Sequence, residues 1–572
     1  MRQVDVVPPV VDDGFMAVDS RASVLTLDGR ASVIAKDCSL PVSDVTSKYI
    51  CPWTSRIPAV LCRRHRIAWD LCGLVIILFL CLLLILILCF LHPCLFHSFK
   101  LGEESGKSKM CVTADCVQTA ASLLAAMDTQ ADPCDDFFQY ACGTWNKKHI
   151  IPEDRSSVST FEVLADQLQI LLKGLLEQPI EEKDLNMTKQ VKKFYQSCIN
   201  NQLIEKIGDK PLRDAVSELG GWPVTMSDWK EPPSMEKVLG EVRKLVNSGF
   251  LIDAWVGPDD RNSDQYILQI DQPHLGLPSR EYYLSDRSKH DLNAYHNYMT
   301  KVAIILGAPV SLASQEMWEV IEFEKLLANI SLDEADRHDT GQWYNKISVG
   351  ELTSRIPQIN WKVYFFNILG RDIDDSLELV SYAQPYLEKL GVLLKSEDKR
   401  VVYNYILWRV VMDLMPYLPP DYQMPRVEFR KVLLGVLAER NRWSMCVEWV
   451  NKKMGMAVGS LFVKDHFNHE SKAVALEMIH GIREAYNELL SENHWMDEET
   501  RAVARDKANS MNERIGYPDY ILNETALLEE YVYISLSNDS FLDNILNMMK
   551  MESLKNLGKL GKPVNKEKLC LN

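Results

Sequence analysis

Phe161-Glu-Val-Leu164-Ala-Asp-Gln-Leu168-Gln-Ile-Leu171-Leu172-Lys-Gly-Leu175 sets the fold class of this chain. Its apolar residues return at steps of three and four, the period of a helix that buries one face. Met478, Ile482, Ala485 and Leu489 repeat the pattern, as do Leu542, Ile545, Leu546 and Met549. The expectation is a mainly α protein. Breaks are expected at Gly220-Gly221-Trp222-Pro223, Glu231-Pro232-Pro233 and Leu418-Pro419-Pro420, where glycine and proline interrupt the period. One short stretch, Tyr266-Ile267-Leu268-Gln269-Ile270, reads as a strand. No internal repeat or sustained heptad is present.

Towards the amino terminus, Leu71 to Leu91 form an uninterrupted apolar run without a charge. At about 1.5 Å per residue, the run makes a helix long enough to cross a hydrocarbon core of about 30 Å. Arg63, Arg64 and Arg66 precede it, and no lysine follows until Lys100. The positive-inside bias puts residues 1–70 in the cytosol and everything after the run outside, a single-pass type II topology. A stalk is expected over 92–110. The sequons Asn186-Met-Thr, Asn329-Ile-Ser, Asn523-Glu-Thr and Asn538-Asp-Ser all lie beyond the run, which is consistent with glycosylation on that side.

Residues 1–70 carry nine Lys/Arg and eight Asp/Glu, so nearly all of the net charge of −16 belongs to the part beyond the run. An acidic surface argues against a nucleic-acid partner. The cytosolic tail, with few aromatics and no helical period, reads as disordered. Of the 14 cysteines, Cys38, Cys51 and Cys62 are assigned to the cytosol and Cys72, Cys81 and Cys89 to the span. Cys94, Cys111, Cys116, Cys134, Cys142, Cys198, Cys446 and Cys570 lie where disulfides form. Zinc spacing competes for Cys111-x4-Cys116, but no second close pair follows at finger spacing.

The twelve histidines contain no His-Glu-x-x-His, which would set two imidazoles on one helical face with a glutamate base between them. His466-Phe-Asn-His469-Glu470 fits neither that motif nor its inverted form and reads as a solvated loop. His274, His290 and His296 stand alone, as structural or surface residues. Gly-x-Ser-x-Gly is absent, and Gly558-Lys559-Leu560-Gly561-Lys562 lacks the spacing of a phosphate loop.

Asp132-Pro-Cys-Asp-Asp-Phe-Phe-Gln-Tyr-Ala-Cys-Gly-Thr-Trp145 resembles the opening signature of the neprilysin and endothelin-converting-enzyme family of zinc endopeptidases. Further matches follow in order: Ile270-Asp-Gln-Pro-His-Leu-Gly-Leu-Pro-Ser-Arg-Glu-Tyr-Tyr283, Asn404-Tyr-Ile-Leu-Trp-Arg409, Trp495-Met-Asp-Glu-Glu-Thr500 and Ile515-Gly-Tyr-Pro-Asp519. The resemblance implies a helical lid domain over 156–460. It also implies part of a thermolysin-like catalytic domain over 111–155 and 461–572. In the family, a segment like Gly561-Lys-Pro-Val-Asn-Lys-Glu-Lys568 is followed by the zinc-binding helices, so the expectation is a truncated form: a splice product or an incomplete gene model. Zinc belongs to the full-length family; none is expected in this chain, which is expected to be inactive alone.

The same resemblance matches Ile151-Pro152-Glu153 to a turn after which neprilysin-like enzymes grip a substrate's terminal carboxylate with two arginines. Ser157 and Ala165 occupy those positions here, so an endopeptidase preference is implied, against which stands Arg155, near enough to compensate. It further implies disulfides Cys111–Cys116 and Cys198–Cys446, and leaves Cys134 and Cys142 without their partners. Cys570 is a candidate for a non-native link with either. The stripe from Leu542 to Met549 is expected to lose packing surface. Implied partners are the membrane and, in the full-length form, extracellular peptides, with a homo- or hetero-dimer left open. The implied location is the plasma membrane, with partial retention in the endoplasmic reticulum for this form. The rival is a non-catalytic surface module that binds peptides or pairs with a complete enzyme.

Overall fold

The computed structural model of the chain describes residues 111–531 and 534–566. The cytosolic tail, the apolar run Leu71–Leu91, the stalk, and Cys38, Cys51, Cys62, Cys72, Cys81, Cys89, Cys94 and Cys570 lie outside the described residues. Among those described, no helix is long and apolar enough to cross a membrane.

The described residues belong to two compact units, divided after Ile150. The first holds α1 (Ala114–Ala126) and α2 (Phe137–Lys148). Thr113 and Asp136 cap them by accepting from the N–H of Cys116 and Gln139, satisfying donors that a helix start leaves open. Between the two helices, the Asp128 carboxylate takes Gln139 Nε2 at 3.0 Å and Lys147 Nζ at 2.8 Å.

The second unit, from Ile151 onward, is mainly helical. Its longer helices begin with α3 (Thr160–Leu176), α4 (Asn186–Ile199), α5 (Met235–Val246), α6 (Lys289–Ile305) and α7 (Val310–Ile330). They continue with α8 (Gln384–Ser396), α9 (Lys399–Leu414), α10 (Pro420–Leu434) and α11 (Arg442–His466). The last are α12 (His469–Glu492), α13 (Glu498–Asn509) and α14 (Phe541–Leu557). The three predicted breaks all fall outside helix interiors; Pro420 opens α10, where its missing N–H costs no hydrogen bond.

Within α3, Leu172 and Leu175 are buried while Phe161 at its start is exposed. The buried end packs on α4 and α11. Ser444 donates to Gln169 Oε1 at 2.5 Å, Lys173 sits 4.9 Å from the Trp443 ring, and the Cys198–Cys446 disulfide fastens α4 to α11. α11 is not one continuous helix in its backbone: Met454 has φ −128° and ψ 36°, a kink immediately before Gly455.

The expected strand is the centre of β2 (Asn262–Asp271) in a four-stranded sheet with β1 (Asp253–Asp259), β3 (Asn345–Ser348) and β4 (Glu378–Ser381). The order is β1-β2-β4-β3, with β2 and β4 parallel and the outer pairs antiparallel. Ala254, Val256, Leu268, Ile270 and Leu379 point one way into the large core. Ile267, Val380 and Tyr382 form a small second cluster on the opposite face, covered by Trp255 and Tyr344.

The free edge of β1 is closed by side chains rather than by another strand. Asn556 of α14 donates to Val256 O and accepts from Val256 N, both at 3.0 Å. Arg243 of α5 donates to Ala254 O at 2.5 Å. Such capping blunts an edge that would otherwise invite pairing. It also ties α14 deep into the unit: Leu542, Ile545 and Met549 are buried and Leu546 is partly so. The expectation that this stripe lacks packing surface is therefore corrected. Phe541 meets Phe194 and Trp449 at 5.9 and 5.5 Å, and Asn544 donates to Ser197 Oγ at 3.1 Å.

The exposed stripe is the other one. On α12, Met478, Ile482, Ala485 and Leu489 all face solvent.

Candidate functional site

Two segments quoted above for their resemblance, Ile270–Tyr283 and Asn404–Arg409, meet at one buried carboxylate that sequence reasoning did not single out. Glu324 of α7 is fully buried. It accepts from the Gly276 N–H at 2.8 Å and from the Tyr283 hydroxyl at 3.0 Å, and lies 3.8 Å from Arg409. Arg409 in turn donates to His274 O at 2.8 Å and to the Tyr405 hydroxyl at 3.3 Å. Tyr283 also accepts from the Leu277 N–H at 2.8 Å. Burial pushes the Glu324 carboxyl above its ordinary range, while Arg409 and these donors pull it back.

Gly276 has no room for a side chain: a Cβ there would lie 2.0 Å from the Tyr295 hydroxyl. That hydroxyl accepts from Trp408 Nε1 at 2.7 Å. Glu324, Tyr283, Tyr295, Tyr405 and Arg409 are buried and, Arg409 Nε apart, face polar partners, so the chemistry of the arrangement is that of a structural lock. The available sequence signal was a glutamate within the apolar face Met317, Val320, Ile321, Leu327 and Ala328 of α7, all buried.

The second constellation surrounds the turn at Ile151-Pro152-Glu153. Leu437 and Ala438 donate their N–H groups to Glu153 O at 2.8 and 3.0 Å, which fixes the turn. Ser157 donates to Glu162 Oε1 at 3.0 Å, and Ala165 is partly buried on α3. Arg155 makes two parallel bonds to Asp166 at 3.1 Å each and lies 3.5 Å from Asp154. Arg440 extends the chain of charges, 3.8 Å from Asp154 and 2.9 Å from Glu448. A guanidinium engaged by a bidentate carboxylate has little left to offer a second one. Arg155 is a clamp between the turn and α3.

The histidine cluster does not converge. His466 ends α11 and His469 begins α12, with His469 Nδ1 2.8 Å from the Tyr517 hydroxyl. Among the described residues, no three His, Cys, Asp or Glu side chains are grouped to hold a metal ion. These residues do not fit a zinc site, and no hydrolytic step is assigned to them. His274 and His290 are exposed, and His296 Nε2 lies 2.7 Å from Ser314 O.

Disulfides join Cys111 to Cys116 and Cys198 to Cys446. Cys134 is free and exposed. Cys142 is disulfide-bonded. The four sequon asparagines, Asn186, Asn329, Asn523 and Asn538, are all exposed.

The sequence profile of Peptidase family M13 matches residues 133–518. The chain belongs to this family. It is 38% identical over 483 residues to mouse (Mus musculus) membrane metallo-endopeptidase-like 1, covering 81% of this chain and 63% of that protein. With human (Homo sapiens) neprilysin the identity is 36% over 479 residues, 80% of this chain and 64% of the relative. The chain thus spans just under two thirds of these relatives. Among solved structures, the Mycobacterium tuberculosis zinc metalloprotease Zmp1 in complex with an inhibitor aligns with a TM-score of 0.68. At 24% identity, with 78% of this chain and 65% of that one covered, it shows that the fold is of the M13 peptidase type. Both motif segments that meet at Glu324 lie inside the profile match, so the lock belongs to the part of this M13 chain that the profile describes.

Proposed function

We propose that this M13 chain contributes the helical, peptide-enclosing portion of a type II membrane metalloendopeptidase that processes extracellular peptides. The observation that carries this reading is the family match across residues 133–518. The apolar run Leu71–Leu91, with Arg63, Arg64 and Arg66 before it, supports the membrane anchor. The proposed division assigns 156–460 to the lid and 111–155 with 461–572 to the catalytic domain. The exposed sequon asparagines are accessible for glycosylation.

An endopeptidase preference is favoured by the electrostatics at the Ile151 turn. Ser157 and Ala165 bring no charge, and Arg155 is neutralised by Asp166. A terminal carboxylate arriving there would meet Asp154, Glu162 and Asp166.

Residues 1–572 expressed alone are proposed to be inactive, because they contain no His-Glu-x-x-His. In the family, zinc polarises the peptide carbonyl and activates water; the ligands for that chemistry are not among the described residues. A non-catalytic module that binds peptides or pairs with an enzyme is the second reading, with which the lack of a His-Glu-x-x-His in residues 1–572 agrees equally.

The test is zinc content and turnover. Purified whole chain should retain less than about a tenth of an equivalent of zinc after dialysis, since structural zinc sites bind far more tightly than dialysis can strip. It should also leave a fluorogenic peptide intact with or without chelator. Stoichiometric zinc, or cleavage that a chelator abolishes, would overturn the proposal.

A further inference from the structure

Between the short helix Lys210–Glu218, the turn Gly220-Gly221-Trp222 and the end of α6 lies a cavity of about 370 Å³. Small-molecule sites commonly measure about 300–1,000 Å³. Leu212, Val216, Trp222, Met226 and Leu306 supply its apolar wall. The wall is held from behind. Arg400 and Asn404 of α9, both bonded to Glu316, take Pro223 O at 2.8 Å and the Val224 N–H at 2.9 Å. Trp222 stacks on Trp408, with ring centres 6.2 Å apart. Gly221, at φ 82°, lets the backbone pass under Met226, where a Cβ would collide with the thioether sulfur.

One donor in this wall has nothing to bond. Trp222 is 1% exposed, and its Nε1 has no hydrogen-bond partner among the described residues. Native interiors rarely leave a buried N–H without an acceptor. The residues that bury it are themselves described, so its want of a partner does not depend on any chain beyond residue 566. The other side-chain donors of the wall are spent or exposed. Arg213 donates to Asp209 Oδ2 at 2.7 Å and to Leu306 O at 2.8 Å, the Thr225 hydroxyl donates to Trp222 O at 2.8 Å, and Ser217 is exposed. Asp209 cancels the charge of Arg213, which leaves an apolar, electrically neutral wall with one donor in reserve. Met226, unbranched and 38% exposed, is the part of it that can shift to admit an acceptor.

We propose that this cavity binds a small, uncharged, mainly apolar molecule whose carbonyl or ether oxygen accepts from Trp222 Nε1. Its apolar body would lie against Leu212, Val216 and Leu306, and its oxygen would satisfy the one unpaired donor. A carboxylate is disfavoured, because the guanidinium in the wall already has its counter-ion in Asp209. An ammonium is disfavoured for the converse reason, since that carboxylate is already taken. The site shares no residue with the turn at Ile151 and requires neither zinc nor the peptide-enclosing role proposed above.

The test uses the whole chain and two fluorescent probes. One is prodan, a naphthalene bearing a dimethylamino group and a propionyl ketone; the other is the same amine without the ketone. Prodan is expected to saturate a single site and the ketone-free probe to bind more weakly. Trp222→Phe keeps a ring against Trp408 and removes the N–H. It should weaken prodan about fivefold, the worth of one hydrogen bond, and leave the ketone-free probe unchanged. Val216→Trp, at a half-buried wall position, should fill the cavity and weaken both probes at least about tenfold. Val216→Phe, a smaller plug, should act in the same direction, and thermal melts of all three variants should match wild type. Failure of prodan to saturate, or equal affinity of the wild type for both probes, would overturn the proposal. So would prodan binding that Trp222→Phe leaves intact. Binding that both Val216 variants spare and Ile482→Asp with Leu489→Asp removes would overturn it too, because the probe would then sit on the exposed stripe of α12.

Discussion

Glu324 and Arg409 show how much one buried pair organises. The carboxylate takes the Gly276 N–H and the Tyr283 hydroxyl, and the guanidinium holds His274 O, so the irregular segment after β2 is pinned from both sides. Glu324→Ala would leave Arg409 buried without its counter-charge and should cost about 3–5 kcal/mol. Gly276→Ala should be comparably damaging, through the clash with the Tyr295 hydroxyl rather than through charge. Chemical denaturation of both variants checks this, and a loss under about 1 kcal/mol would refute the lock. One turn beyond Arg409, burial pushes the Asp413 carboxyl up to about 6, against the pull of Arg409 and Lys452. Tyr298, Tyr405 and Tyr417 are the other titratable groups that feel its charge. A folded-state pKa above the unfolded one means that the native state binds the proton more tightly. Stability from this group is then full below the ordinary carboxyl range and lost as pH rises through about 6. Asp413→Asn should flatten the fall in Tm between about pH 4 and pH 6, a change that thermal melts across the range would detect.

Among the elements, α14 depends on its cap and its contacts, and α11 on its disulfide. Ser540 accepts from the Asp543 N–H, so Ser540→Ala should cost about 1 kcal/mol. The Cys198–Cys446 bond closes a sequence separation of 248 residues, and replacing both cysteines by alanine should cost about 2–5 kcal/mol. Reducing and non-reducing melts of wild type and variant would measure the second effect; equal Tm values in all four would contradict it. Period alone told which stretches are helical, and α3, α12 and α14 all formed where the spacing put them. It did not tell which stripes are covered. The α14 stripe is buried because Asn556 and Ser553, polar residues invisible to an apolar count, bind β1 and α5. The α12 stripe has the same spacing, but its polar fasteners, Lys472, Arg483 and Asn487, lie on the opposite side of the helix. The strand over Tyr266–Ile270 was legible from its β-branched and aromatic run, whereas the four-residue β3 and β4 were too short to give a period. At the site, Ser157 and Ala165 could be placed by resemblance, but the Arg155–Asp166 clamp depends on a turn that only the fold defines.

At the scale of the whole molecule, these local facts bear on how the chain would be handled on the secretory route proposed for it. One reason for retention that the sequence suggested has gone, since the α14 stripe is buried. Two others stand in the structure: Cys134 is a free, exposed thiol, and α12 displays an open apolar face. Free thiols and exposed stripes promote mixed disulfides and aggregation among molecules folding together. Partial retention in the endoplasmic reticulum is therefore expected, with a large share of glycans at Asn186, Asn329, Asn523 and Asn538 still sensitive to endoglycosidase H. Both causes are separable. Cys134→Ser should remove reducible high-molecular-weight forms without touching the α12 face, and Ile482→Ser with Leu489→Ser should lower aggregation without touching the thiol. Combining all three should give the largest rise in mature, surface-biotinylated protein. Wild-type chain that already reaches the surface with mature glycans would show that neither feature is read as a folding defect.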